Sequence, residues 1–204
     1  MYVPTHNRME DRAEQLAFMR RHSFATLVSA GAGGAIQATH LPFVAEEQGG
    51  ELRLLGHQAR ANPQWRELAA TEVLVIFQGP HAYVSPGLYQ RHPSVPTWNY
   101  AAVHVYGSLR LLEEREDKLR ILRALVRDSD PAWLEEMERL PEDYLALKLS
   151  GIAAFEITVS RVEARWKLSQ DRSPQERGNI VAALRDSGDS AAAETSAMTA
   201  ALDP

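Results

Sequence analysis

The sequence predicts a mainly β fold with flanking helices, arranged as a small closed or partly closed antiparallel barrel. Three observations lead there. Alternating or continuous apolar runs of strand length recur along the chain, many of them are joined by short connections, and helical periodicity is confined to the ends and a few intervening stretches. With 204 residues, of which 45% are hydrophobic, the chain can bury one core, and no second domain is required.

Residues 10–21 place Ala13, Leu16, Ala17 and Met19 at helical spacing among charges, which predicts an amphipathic helix. Two strands come next, Phe24 to Ser29 and Ile36 to Val44, joined by Gly31-Ala32-Gly33-Gly34. A phosphate-binding loop opens a helix, whereas Ile36, Thr39 and Pro42 continue as β, so these glycines are assigned to a hairpin turn. Glu51 to Gly56 alternates and is half exposed; Val73 to Phe77 is apolar on both faces and therefore central. Between them Asn62-Pro63 is an N-cap followed by proline at the first helical position, opening a short helix through Leu68. Ala82 to Ser85 is a further strand, and Val103, Val105, Leu109 and Leu111 keep period two through Gly107, where a strand glycine signals a bulge or a close approach.

Residues 113–127 form the clearest helix, with Leu119, Leu122, Leu125 and Val126 on one face and Glu114–Lys118 and Glu116–Arg120 as favourable pairs. Two short helical pieces bounded by Pro131 and Pro141 precede the last strand. There Phe155, Ile157 and Val159 alternate in one phase and Val162, Ala164 and Trp166 in the other, which predicts a β-bulge between Val159 and Val162. A final helix spans about Pro174 to Arg185. The domain is accordingly assigned to residues 1–186, and the Ala/Ser/Thr-rich residues 187–204, which have little apolar bulk to bury, are expected to be disordered.

Composition excludes several functions. Arg8, Glu10, Asp11, Arg12, Glu14 and Arg20 interrupt any apolar signal region, and no apolar run approaches the about twenty residues of a membrane helix, so a cytoplasmic location off the membrane is expected. The absence of cysteine removes disulfides, thiolate metal sites and a cysteine nucleophile. The seven histidines form no HxH or HExxH pattern, and Ser85 lacks a nucleophile elbow, so neither a metal centre nor acyl transfer is expected. A net charge of −5 gives no basic excess for nucleic acid.

Three segments could carry chemistry. In Gly56-His57-Gln58-Ala59-Arg60-Ala61-Asn62-Pro63-Gln64-Trp65 a strand end meets a capped helix start, where backbone N–H groups and Arg60 could meet a phosphate; an ordinary connecting helix is the alternative. Ser94 to Tyr100, containing Thr97, Trp98, Asn99 and Tyr100, crowds aromatics, an amide and a hydroxyl at one strand entrance, a mix suited to a planar heteroatom-rich ring or simply to a barrel rim. Trp166-Lys167-Leu168-Ser169-Gln170-Asp171 is polar and basic where the last strand ends.

Taken in order, Met1-Tyr2-Val3-Pro4, Thr39-His40-Leu41-Pro42-Phe43, the GHQARANPQW run, Phe77 to Pro86, the VPTWNY run and Lys167-Leu168-Ser169-Gln170 resemble the PaiB-like family, FMN-binding negative transcriptional regulators, over residues 1–185. The resemblance implies a split β-barrel of the pyridoxamine-phosphate-oxidase type, a homodimer with FMN at its interface, and a repressor role linked to sporulation and protease genes. It puts His57, Ala59, Arg60 and Asn62 at the flavin phosphate, and Thr97, Trp98, Asn99, Tyr100, Lys167, Ser169 and Gln170 near the ring. The sequence departs from the family pattern at Leu88, where a Trp usually precedes the tyrosine, at Asp171 in place of an amide, and at Asn7, where an aromatic commonly follows His6.

Two other functions fit the same barrel: an FMN-dependent oxidoreductase or flavin reductase in which the cofactor carries the chemistry, and a haem-binding barrel with a ligand such as His104. No residue is assigned as a catalytic acid or base. Direct DNA contact is not expected, because no helix-turn-helix signal is present and the 113–127 helix has mixed charge.

Overall fold

The computed structural model describes residues 1–202. Seven strands, β1 (Phe24–Ala30), β2 (Ile36–Pro42), β3 (Val44–Gln48), β4 (Glu51–Ala59), β5 (Glu72–Val84), β6 (Thr97–Leu112) and β7 (Ile152–Lys167), form one sheet in the order β2-β1-β5-β6-β7-β4-β3. The helices are α1 (Arg12–Arg21), α2 (Arg115–Ser129), α3 (Leu134–Glu138), α4 (Glu142–Ser150), α5 (Pro174–Arg185) and α6 (Ser190–Ala200). None of them is long and apolar enough to cross a membrane.

The chain divides into two compact units, and neither is continuous in sequence: one comprises residues 1–15, 78–103 and 163–204, the other 16–77 and 104–162. The long strands β5, β6 and β7 each run from one unit into the other. This explains two features that the sequence presents as interruptions. In β5 the buried residues are Val73, Val75 and Phe77, then Pro80, Ala82 and Val84, and the parity changes at the unit boundary. The two strands expected from the sequence are one strand of 13 residues. In β7 residues 153–157 are all buried, Ala164 and Trp166 are the buried residues farther along, and the strand stays continuous over 16 residues. The change of phase that predicts a bulge falls where the strand leaves one unit and enters the other.

In the unit built from residues 16–77 and 104–162, β1 and β2 pair from Phe24↔Pro42 to Ala30↔Ile36. The glycine run between them is a turn, with Gly33 and Gly34 at φ of 73° and 82°, a region that residues with a Cβ rarely enter. Helix α2 covers the sheet with two faces where the sequence shows one: Ile121, Ala124 and Leu125 join Val44, Leu55, Leu112 and Ala154, while Leu119, Leu122 and Val126 pack with Met137 and Leu149. Lys118, expected to pair with Glu114, is buried and instead lies 3.3 Å from Glu113. Gly107 is the close approach of the two possibilities its position raises, because a Cβ there would lie 2.3 Å from the Thr158 carbonyl oxygen.

One carboxylate ties this unit together. Glu156 is 5% exposed and receives Arg53 at 3.5 Å, Arg110 at 3.3 Å and Arg120 at 3.5 Å. Only the carboxylate is buried; Arg53 is half-buried and Arg110 and Arg120 are exposed, so water can serve them once it is gone. Glu156→Ala is therefore expected to lower unfolding free energy by about 1 kcal/mol, measured by denaturant titration; a loss under about 0.5 kcal/mol, the range of a neutral surface change, would show the arginines fully relaxing into water.

In the other unit α5 and α6 pack on β5: Ile180, Leu184 and Ala192 join Ala82, Val84 and Tyr89, with Leu88 against them. Ser173 and Glu176 close a capping box at the start of α5. The chain beyond residue 186, expected to be disordered, carries α6 instead; residues 203–204 of that tail lie outside the described residues. Its composition misleads for a physical reason. Thr195, Ser196 and Thr199 are buried and satisfy their hydroxyls on the carbonyls of Ala191, Val181 and Thr195, so small polar residues fill a core-facing surface without large apolar side chains. Asp189 caps the helix through the Ala192 N–H.

Candidate functional site

The first candidate cluster lies at the end of β4. His57 pairs with Ala154 of β7, and its Nδ1 is buried without a hydrogen-bond partner. Burial pushes the His57 imidazole below its ordinary value, favouring the neutral ring. Beyond the exposed Ala59, the Arg60 N–H donates to the Gly151 carbonyl at 2.8 Å. The guanidinium lies 4.7 Å over the Trp65 ring, donates through Nε to the Ile152 carbonyl at 3.3 Å, and donates through Nη2 to Glu113 Oε2 at 2.5 Å. Trp65 in turn donates to the Arg60 carbonyl at 2.9 Å.

Arg60 is thus held in a fixed orientation, not left loose in solvent. Lys118 approaches the same Glu113 oxygen, so two cations converge on one carboxylate that is itself 53% exposed. Burial alone would raise the Glu113 carboxyl, but hydrogen bonds from Arg60 and Lys118 outweigh it and hold the group below the usual carboxylate range. Asn62 does cap the adjoining element, accepting from the Gln64 N–H at 3.1 Å and donating to Thr39 at 2.9 Å. That element is only a 3-10 turn over Pro63–Arg66, so a helix dipole contributes little to anion binding here. Gln58, which the sequence does not single out, is 2% exposed with both amide atoms unpartnered.

The second cluster lies where β6 begins and β7 ends. Lys167 Nζ donates to Thr97 Oγ1 and to the Trp98 carbonyl, the latter at 2.6 Å. Ser169, at φ 63°, donates to Asn99 Oδ1 at 3.0 Å. Asn99 is fully buried and its Nδ2 has no partner. Gln170 is consumed internally: its side chain bonds the Trp166 carbonyl and the Leu168 N–H and receives Asn7 Nδ2 at 3.0 Å. It shapes the turn. Trp98 is 53% exposed and belongs to an aromatic patch with His81 and Tyr83, at centroid distances of 6.0 and 5.9 Å. Tyr100 lies 5.3 Å from the Arg165 guanidinium.

Thr97, Asn99, Lys167 and Ser169 share a cavity of about 230 Å³. Its wall also includes Asn7, Arg165, Asp171 and Arg172. The Asn7 and Asp171 departures therefore both fall on this cavity, whereas Leu88 packs against α5 and α6. Arg165 and Arg172 carry no local sequence signal. Asn7 does carry one, because a polar residue stands where the family pattern has an aromatic.

A family model described as "Putative FMN-binding domain" matches residues 1–161. The chain is 38% identical over 192 residues to "Protease synthase and sporulation protein PAI 2" of Bacillus subtilis (strain 168), covering 91% of this chain and 90% of that one. It is 30% identical over 195 residues to an uncharacterized protein of Emericella nidulans, covering 75% of this chain and 76% of the relative. Among solved structures, the flavocytochrome Anf3 from Azotobacter vinelandii superposes with a TM-score of 0.63 at 17% identity, covering 81% of this chain and 72% of that one. An FAD and haem binding protein from Mycobacterium smegmatis gives 0.62 at 15%, covering 79% and 73%. The chain belongs to the FMN-binding, PaiB-like family of split β-barrel proteins.

Proposed function

We propose that this protein binds FMN at an interface between two copies of itself and acts in gene regulation by reporting flavin occupancy or redox state, without itself contacting DNA. The convergence of Arg60 and Lys118 on the exposed Glu113 carboxylate carries the cofactor reading. A carboxylate held by two cations marks a position suited to an anion, and Glu113 is exposed enough to yield it to a phosphate. His57 and Ala59 flank that position along β4, and Asn62 fixes the adjoining turn. The Thr97–Tyr100 segment and the Lys167–Gln170 turn would hold the flavin ring, and Trp98 offers an exposed aromatic surface there. Bound FMN supplies the redox chemistry; the protein's own part is to orient the cofactor and set its electrostatic surroundings.

The regulatory reading is supported by the relative named for protease synthesis and sporulation. A net charge of −5 argues against direct nucleic-acid contact.

A two-fold dimer brings identical patches together. The exposed aromatics Tyr83 and Trp98 are apolar surface for such a contact. Sedimentation velocity at micromolar concentration, monitored at flavin wavelengths, is expected to show the flavin travelling with a dimer. Flavin sedimenting with a monomer would overturn the interface.

A further inference from the structure

We infer that the cavity between the start of β6 and the end of β7 binds the carboxylate or phosphate group of a small anionic molecule distinct from FMN. This rests on the proposed cofactor role, because Thr97, Asn99, Lys167 and Ser169 of the same cavity are also assigned to the flavin ring: the ligand would be the small molecule that meets a flavin-loaded protein.

Two residues of the lining carry buried donors without a hydrogen-bond partner, Asn99 Nδ2 and Arg165 Nε, and a buried donor left unpaired is destabilising. Two hydrogens of the Lys167 ammonium go to Thr97 and to the Trp98 carbonyl, which leaves the third for a ligand. Arg172, held over the Tyr89 ring at 4.0 Å, adds a second guanidinium.

Against these three cations the wall sets one carboxylate, Asp171, which is exposed and lies 3.9 Å from Arg172. His6 also lines the wall and is exposed. The residual charge is positive, and the two buried side-chain atoms of the lining residues that lack a partner, Asn99 Nδ2 and Arg165 Nε, are both donors. A neutral ligand would leave that field uncompensated; an anion with several acceptor oxygens would satisfy it. Burial pushes the Lys167 ammonium below its ordinary range, Arg165 and Arg172 push it further, and Asp171 only partly opposes them. An anion would relieve that crowding.

Size narrows the class. About 230 Å³ accommodates a small dicarboxylate or a phosphate monoester but not a dinucleotide. The side chain of Asn7, buried at the wall and bonded to Gln170 and Arg165, makes this side of the cavity polar.

The test uses the full chain, with and without FMN, titrated calorimetrically with succinate, with inorganic phosphate and with neutral succinamide at constant ionic strength. Succinate or phosphate is expected to bind in the micromolar to millimolar range, with succinamide at least tenfold weaker. Preference for succinate identifies the carboxylate class, and preference for phosphate the phosphate class. Lys167→Met and Arg172→Gln should each weaken the preferred anion at least tenfold. Arg172→Gln guards against misfolding of the first variant, because Arg172 makes fewer internal bonds. No binding of either anion, or equal binding in the wild type and both variants, overturns the inference. FMN titration on the same samples separates the two readings: FMN binding without anion binding defeats only this inference, and anion binding without FMN defeats only the proposed cofactor site.

Discussion

Replacing Arg60 with alanine is expected to weaken FMN by about 1.5 to 4 kcal/mol, the loss of one or two charge-assisted hydrogen bonds. In dissociation constant that is roughly tenfold to a thousandfold. Riboflavin lacks the phosphate, so its affinity should scarcely move in the same variant, whereas Trp98→Ala should weaken both ligands alike. Glu113→Gln should act in the opposite sense and tighten FMN, because the carboxylate bonded to Arg60 and Lys118 competes with a phosphate for the same cations. Arg60 also has structural work, bonding Ile152 and Glu113 and stacking on Trp65. Its loss is therefore expected to cost up to about 1 kcal/mol of apo stability, which fluorescence titration at a temperature well below the melting point removes from the comparison. Equal losses for FMN and riboflavin in Arg60→Ala would move the phosphate site elsewhere.

Substituting Gly107 is expected to have the largest effect on folding. An alanine Cβ at this position would stand 2.3 Å from the Thr158 carbonyl oxygen and 2.7 Å from Ile157 Cγ2. The first neighbour is main chain in β7, and Ile157 is fully buried, so neither can swing aside. Overpacking of this kind costs about 3 kcal/mol for alanine, and valine should leave little folded protein. Gly178→Ala is the control, since a Cβ there meets nothing within 4 Å and the position is helical. Thermal unfolding of the two alanine variants should separate them widely. Parity between them would mean that β6 and β7 can part without loss.

Much of this architecture is legible in the sequence wherever the signal is local. The α5 helix starts and stops as Ser173-Pro174 and the periodicity after them require, and the glycine run after β1 turns as a hairpin. Gly107 announces itself as a misfit in an alternating strand. One expectation fails, the break between Phe77 and Ala82: in β5 the buried face changes partway, and a period-two pattern cannot distinguish a change of surroundings from a break. The helix over Ser190–Ala200 fails differently, since its hydroxyls bond backbone carbonyls and composition alone cannot report that.

Of the candidate site, motif positions are legible and partners are not. Arg60 stands out in its run, but Glu113 and Lys118, which hold its surroundings, come from a distant part of the chain. Thr97, Asn99, Lys167 and Ser169 do share a cavity, while Gln170, in the same run, is used up inside the turn. Arg165 and Arg172 reach the wall only because strand alternation and the turn after β7 put them there.

Strands that belong to both units also fix how the molecule can be taken apart. Because β5, β6 and β7 each cross the boundary, no single cut of the backbone releases either unit as an unbroken piece. Each unit is assembled from segments that ribosomal synthesis delivers at well-separated times, and residues 1–15 must wait for the last third of the chain before Met9 can reach the Ala164 carbonyl. Neither unit can be excised as one continuous segment, and completing either one requires long-range contacts that form only late in synthesis.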